Sequence, residues 1–264
     1  MAFAAINGQN IYFEDSGGPG LPVVLGHGFL MDHEMFAPQV AALSPEFRVI
    51  TWDERGFGLT GFDGQPFTYW DSARDCLGLL DHLGLARAVV GGMSQGGYLS
   101  LRAALLAPER VRALVLIDTQ AGVEDAETRA GYQQMIDMWS TVGPVDALAQ
   151  TIAKIIIDFP GENERWIAKW KARPNAQIVE PARCLLNRDD ISGRLHDIRC
   201  PALVIHGTAD TAIPEVNAKT MAAALSGCDG VVPIDGAAHA SNLTHPGPVN
   251  AALLPFLRQV AKTP

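Results

Sequence analysis

The chain is poor in cysteine, short of positive charge and without any long apolar run. It has four cysteines in 264 residues, Cys76, Cys184, Cys200 and Cys228, and none lies in a C-x-x-C pair. That is too sparse for a disulfide scaffold, so free thiols in a reducing, cytoplasmic compartment are expected. Lys and Arg number 20 against 29 Asp and Glu, a net charge of −9. This deficit argues against binding to a phosphate backbone or docking on anionic lipid, so neither nucleic acid nor membrane is an expected partner. No apolar stretch approaches the roughly 18 residues of a membrane-spanning helix. The opening Met1-Ala-Phe-Ala-Ala-Ile lacks the basic and apolar regions of a secretory signal. His33, His82, His196 and His245 show no H-E-x-x-H spacing, and no glycine-rich dinucleotide loop is read at a strand end. Neither a metal nor a cofactor is therefore expected.

What is present is an ordinary globular composition, 48% hydrophobic and 19% charged, in a chain long enough to bury a substantial core. Short apolar runs alternate with helical patterns. Runs at Val23–Gly26, Phe47–Trp52, Ala88–Gly92, Val111–Ile117, Ala202–His206 and Val231–Ile234 are largely apolar, as strands buried on both faces are. Gln9–Asp15 alternates polar and apolar residues and reads as a strand near a sheet edge. Helices are expected over Phe36–Leu43, Trp70–Leu83, from Ser94 to about Leu106, and over Pro246–Val260. An α/β fold with a parallel sheet follows. Between Asp118 and Ala202 the rhythm stops, with no buried strand, helical stretches at Arg129–Thr141 and Val145–Ile157, and a breaker at Phe159-Pro160-Gly161. This segment reads as a helical insertion over one end of the sheet. No repeat is visible.

The strongest chemical signal is Gly92-Met93-Ser94-Gln95-Gly96-Gly97, a G-x-S-x-G sequence between a strand and a helix. A nucleophile on so sharp a turn needs residues without side chains where strand and helix meet. A serine hydroxyl is a weak nucleophile and needs a base, which in turn needs an orienting carboxylate. Asp210 follows the fifth apolar run and His239 the sixth, so Ser94, Asp210 and His239 fall at successive strand ends. Asp118, ending the fourth run, competes for the role of the acid; it could otherwise cap the start of the insertion. The oxyanion of an acyl-transfer intermediate needs two donors. The backbone N–H of Gln95 and that of Phe29, in His27-Gly28-Phe29-Leu30, are the candidates, with His27 holding the loop. Trp139, beside Met135 and Met138, is the candidate for substrate contact.

With His27-Gly28-Phe29, Asp53-Glu54-Arg55-Gly56-Phe57-Gly58, the Ser94 turn, Asp210 and His239 in hand, the chain resembles the α/β-hydrolase superfamily over nearly its whole length. The resemblance implies an eight-stranded, mostly parallel sheet with helices on both faces. It implies a hydrolase core of residues 1–118 and 201–264 and a small helical cap at 119–200. It favours Asp210 over Asp118 as the acid, because Gly207-Thr208-Ala209-Asp210 has the usual spacing, and gives Asp53–Gly58 a structural role. Serine at the turn separates the chain from relatives that use aspartate there, the epoxide hydrolases and haloalkane dehalogenases. The short insertion and Met93-Ser94-Gln95-Gly96-Gly97 look most like the lipolytic and lactone-hydrolysing members. The expected activity is a carboxylesterase acting through an acyl-enzyme on a small ester. Alternatives are a lactonase of the 3-oxoadipate enol-lactonase kind, a cofactor-free perhydrolase or haloperoxidase, a C–C bond hydrolase and a non-enzymatic receptor. A carboxylated lactone would require a cation in the pocket, and Arg129, Lys154 and Lys169 are the candidates in the insertion.

Overall fold

A computed structural model describes residues 2–263. Eight strands form one sheet: β1 (Ala2–Ile6), β2 (Gln9–Asp15), β3 (Pro22–Gly26), β4 (Arg48–Trp52), β5 (Ala88–Met93), β6 (Val111–Ile117), β7 (Ala202–Gly207) and β8 (Cys228–Ile234). Their order is β1-β2-β4-β3-β5-β6-β7-β8. Only β2 runs against its neighbours; β4, β3, β5, β6, β7 and β8 pair in parallel.

The helices between them are α1 (Ala37–Leu43), α2 (Tyr69–His82) and α3 (Gln95–Leu106), with α8 (Glu215–Ala224), α9 (Ser241–Thr244) and α10 (Pro246–Lys262) after β7. Strand periodicity sorts the core into two layers. Val23, Leu25, Val89, Val115 and Ile117 pack with Leu43 of α1 and with Leu253 and Leu257 of α10. The alternate residues Val24, Ile50, Val90, Leu114 and Leu116 pack with Leu79 and Leu80 of α2, Leu99 of α3 and Met221 of α8. Both faces of the central strands are therefore covered, which explains their largely apolar runs.

The stretch between β6 and β7 contains α4 (Ala126–Val142), α5 (Asp146–Ile156), α6 (Pro160–Lys171) and α7 (Val179–Leu186), and no strand. Trp139, Ile152 and Trp166 from these helices join the first core layer. Two sequence expectations change. Phe159-Pro160-Gly161 does not only break a helix: Pro160 is the first residue of α6, where a missing N–H costs nothing and the ring sets a helical φ. The strand β1 was not expected. The glycines Gly56, Gly58 and Gly61 have dinucleotide-loop spacing, but the chain there runs as turns with no helix before Tyr69.

Candidate active site

Ser94 joins β5 to α3 at φ 52° and ψ −112°. This is a strained backbone for a residue with a side chain, costing about 1–3 kcal/mol. Its surroundings hold it there. The Ser94 N–H donates to Ile117 O at 2.9 Å. The Ser94 carbonyl accepts from Gly97 N at 2.9 Å and Tyr98 N at 3.1 Å, and from Thr119 Oγ1 at 2.7 Å. The glycines are steric requirements of the crossing: a Cβ on Gly92 would stand 2.8 Å from Gly96 Cα and collide with the Gly26 carbonyl.

His239 lies in the loop after β8 and Asp210 in the loop after β7. The structure brings them together, with His239 Nδ1 2.7 Å from Asp210 Oδ2. Nδ1 therefore carries the proton, and Nε2 keeps its lone pair. The other Asp210 oxygen accepts from Ala212 N at 2.8 Å and Ile213 N at 3.0 Å. Burial works to lower the His239 pKa, but the field and hydrogen bond of Asp210 outweigh it and the value is raised above 6.5. Burial pushes the Asp210 carboxyl up, and His239 more than offsets that, leaving it below 3.8. Ser94 and His239 line one cavity. No hydrogen bond joins Ser94 Oγ to His239 Nε2 among the described residues; in substrate-free sites such bonds are commonly long and close on binding.

Among the described residues Asp118 makes no hydrogen bond to His239. Its Oδ1 accepts from Gly207 N at 2.7 Å and its Oδ2 from Ser241 N at 3.0 Å. One buried carboxylate thus ties together the segments leading to Asp210 and leaving His239, and it does not cap the insertion, whose first helix is capped by Asp125 through Thr128 N at 2.7 Å. Burial, reinforced by the charge of Asp210, pushes the Asp118 carboxyl up to about 7.

The loop after β3 is set by His27. Burial lowers its pKa, so the ring is neutral. Nε2 accepts from Glu54 N at 3.0 Å, which leaves the proton on Nδ1, and Nδ1 donates to Gly28 O at 2.8 Å. Gly28 C=O and Phe29 N–H belong to one trans peptide and point in opposite directions. Fixing the carbonyl on His27 thereby turns the Phe29 N–H the other way. Among the described residues, neither the Phe29 N–H nor the Gln95 N–H donates a hydrogen bond, whereas Gly96 N donates to His27 O at 3.1 Å and Met31 N to Gly28 O at 3.0 Å. Phe29 also lines the cavity.

The insertion supplies much of the cavity wall. Trp139 faces it, backed by Trp170 with ring centroids 5.9 Å apart. Three hydrogen bonds connect the insertion to three separate loops of the site. Trp170 Nε1 donates to Leu30 O at 2.8 Å, Tyr132 Oη to Ala212 O at 3.2 Å, and Ala240 N to Ile156 O at 2.7 Å. Tyr98 and Glu124 are among the lining residues that sequence reasoning missed. Tyr98 was within reach, since it lies four residues after Ser94 on one face of α3. Glu124 had no signal. Of the insertion cations considered above, Arg129 bonds Asn187 Oδ1 at 2.7 Å, Lys169 pairs with Asp32 at 2.7 Å and Lys154 is exposed; none lines the cavity. The groups Asp32/His33/Asp53 and Asp118/His206/Asp210 are compact enough to suggest metal ligands. In the first group Asp53 Oδ1 accepts from His33 Nδ1 at 2.8 Å and its Oδ2 from Leu59 N at 2.7 Å; in the second the two carboxylates are bonded as above and His206 Nε2 bonds Ile213 O at 2.9 Å, while its buried Nδ1 has no partner among the described residues.

Residues 22–246 match the family model for the alpha/beta hydrolase fold. The chain belongs to the α/β-hydrolase fold family, and a hydrolase of that family is the class that fold and site define. It is similar to the "Putative carbamate hydrolase RutD" of Rhizobium rhizogenes, with 31% identity over 89% of this chain and 92% of the relative. Among solved structures it resembles a thermophilic esterase from Thermogutta terrifontis, solved with malate bound, at 29% identity and TM-score 0.90, covering 99% of both chains. The enol-lactonase of Burkholderia xenovorans LB400 is also similar, at 28% identity and TM-score 0.89, over 97% of this chain and 99% of that one. No helix among the described residues is long and apolar enough to cross a membrane.

Proposed function

We propose that the protein is a serine hydrolase that cleaves carboxylic esters through an acyl-enzyme, with Ser94 as nucleophile, His239 as base and Asp210 as the acid that orients it. The observation that carries this reading is the 2.7 Å bond from Asp210 to His239 Nδ1, which leaves Nε2 free in the cavity that the strained Ser94 also lines. Ser94 Oγ attacks the ester carbonyl while His239 Nε2 takes its proton. Asp210 stabilises the imidazolium. The Phe29 and Gln95 N–H groups receive the oxyanion, each worth roughly 2.7–4 kcal/mol of barrier. The imidazolium returns its proton to the departing alcohol. Water, deprotonated by the same imidazole, then releases the acid and restores Ser94.

Residues 119–200 act in this reading as a cap, because their helices both wall the cavity and bond to the loops that carry these groups. The likeness to an esterase and to an enol-lactonase supports carbonyl–oxygen cleavage, and the lactonase likeness makes lactones the second substrate class. The test is acid release in a pH-stat against acyl esters and lactones, with Ser94→Ala as control. Ester turnover that the substitution cuts by about 10⁶-fold is the expected result. Near-normal turnover by Ser94→Ala overturns the assignment.

A further inference from the structure

We propose that Glu124 makes this cavity select uncharged, apolar acyl chains and reject acyl groups that end in a carboxylate; this rests on the ester-hydrolase reading above. The wall opposite Ser94 is hydrocarbon, with Ile136, Trp139, Ile152, Ile178 and Leu185. Glu124 is the one carboxylate that lines it, and no lysine or arginine does so among the described residues. The nearest cation, Arg188, lies behind the wall. Its guanidinium stacks on the Tyr98 ring, 4.4 Å from the centroid, and is held by Glu124 Oε1 at 2.6 Å, Leu185 O at 3.0 Å and Gly122 O at 3.2 Å. Gln120 Nε2 donates to the same Glu124 oxygen at 3.4 Å. Oε2 receives no hydrogen bond from the described residues and is not among the sealed, unpartnered atoms.

The negative end of the Glu124–Arg188 pair therefore meets the substrate, and the positive end is turned away. A carboxylate on the acyl chain would shed its hydration in an apolar cavity, find no cation and face a like charge. A neutral chain of the same length suffers none of these. The pair also predicts its own reversal. With Glu124 neutral, Arg188 keeps its two carbonyl partners but loses its counter-charge, and its Nε is already unpaired. The wall then becomes attractive to anions.

The experiment compares ethyl hexanoate with monoethyl adipate, chains of equal length that differ in the terminal carboxylate, in wild type and Glu124→Gln. Wild type should favour the neutral ester by at least about a hundredfold in kcat/KM. Glu124→Gln should shrink that ratio by about tenfold or more. Because both esters are read in the same preparation, a loss of folded protein cancels. Similar kcat/KM values for the two esters in wild type, or a ratio unchanged in Glu124→Gln, overturns the proposal. Binding of hexanamide and adipic acid monoamide, followed by tryptophan fluorescence, reads the same selection without turnover. If neither ester is hydrolysed but only hexanamide binds, the hydrolase reading fails and the charge selection stands. Equal binding of the two amides overturns the selection.

Discussion

Replacing Glu54 by glutamine removes one ionisable group and almost no volume directly behind the Ser94 turn. Glu54 is 1% exposed, and its Oε1 has no hydrogen-bond partner. Burial, with the like charges of Asp75 and Asp53 added, lifts its carboxyl well above 4.5, and only the Gln95 side chain acts in the other direction. The unfolded chain ionises this residue near 4.5, so in the interval between that pH and the folded value folding takes up a proton. The folded state binds more protons than the unfolded one over that interval. Stability therefore falls as pH rises from 4.5 towards the folded value, by about 1.4 kcal/mol per pH unit. Glutamine carries no such slope. As pH rises above 4.5 the variant should therefore gain on wild type, at a limiting rate of about 1.4 kcal/mol per pH unit. Urea unfolding by circular dichroism at a series of pH values measures this through the midpoints, provided the m-values agree. Wild-type and variant stabilities that stay parallel as pH rises above 4.5 would refute a raised Glu54 carboxyl; a constant offset would report packing alone.

Two further outcomes follow from the carboxylates around His239. Because Asp210 raises the histidine above 6.5, and only the neutral imidazole accepts the serine proton, kcat/KM should rise with pH through a midpoint above 6.5. Asp210→Asn should cut kcat by about 10⁴-fold and move the remaining midpoint downward, measured as pH–rate profiles; an unmoved midpoint contradicts the pairing. Asp118→Asn leaves one oxygen for two backbone donors, Gly207 N and Ser241 N. It should cost about 1–3 kcal/mol of stability and lower kcat by about tenfold to a hundredfold with KM little changed. A rise in KM alone would instead place Asp118 in substrate binding.

The central strands were legible because burial on both faces demands apolar runs, as in Ala88–Gly92. The first strand was not, because Ala-Phe-Ala-Ala-Ile is mostly alanine, a residue with no strand preference, and it pairs at the sheet edge. The juxtaposition of Asp210 with His239 could be anticipated, since parallel strands bring loops at the same strand ends together. The position of Asp118 could not, because its register is set by two backbone donors from distant segments. Glu124 and Arg188 lay beyond the reach of sequence patterns altogether. Nothing in helical periodicity says that two charges 64 positions apart turn one end toward a cavity. Trp139 was singled out as an aromatic, and the structure puts it on the cavity wall with Trp170 behind it.

The three hydrogen bonds from the insertion to the loops at Leu30, Ala212 and Ala240 limit how far this chain can be treated as modular. A chimaera that keeps the sheet and receives a relative's helices between Thr119 and Cys200 would lose a tryptophan donor, a tyrosine donor and a helix-end carbonyl acceptor at once. Such grafts would change chemistry and selectivity together. Variation that redesigns the binding wall must therefore preserve those three bonding positions, or supply equivalents, if the loops beneath are to keep their register.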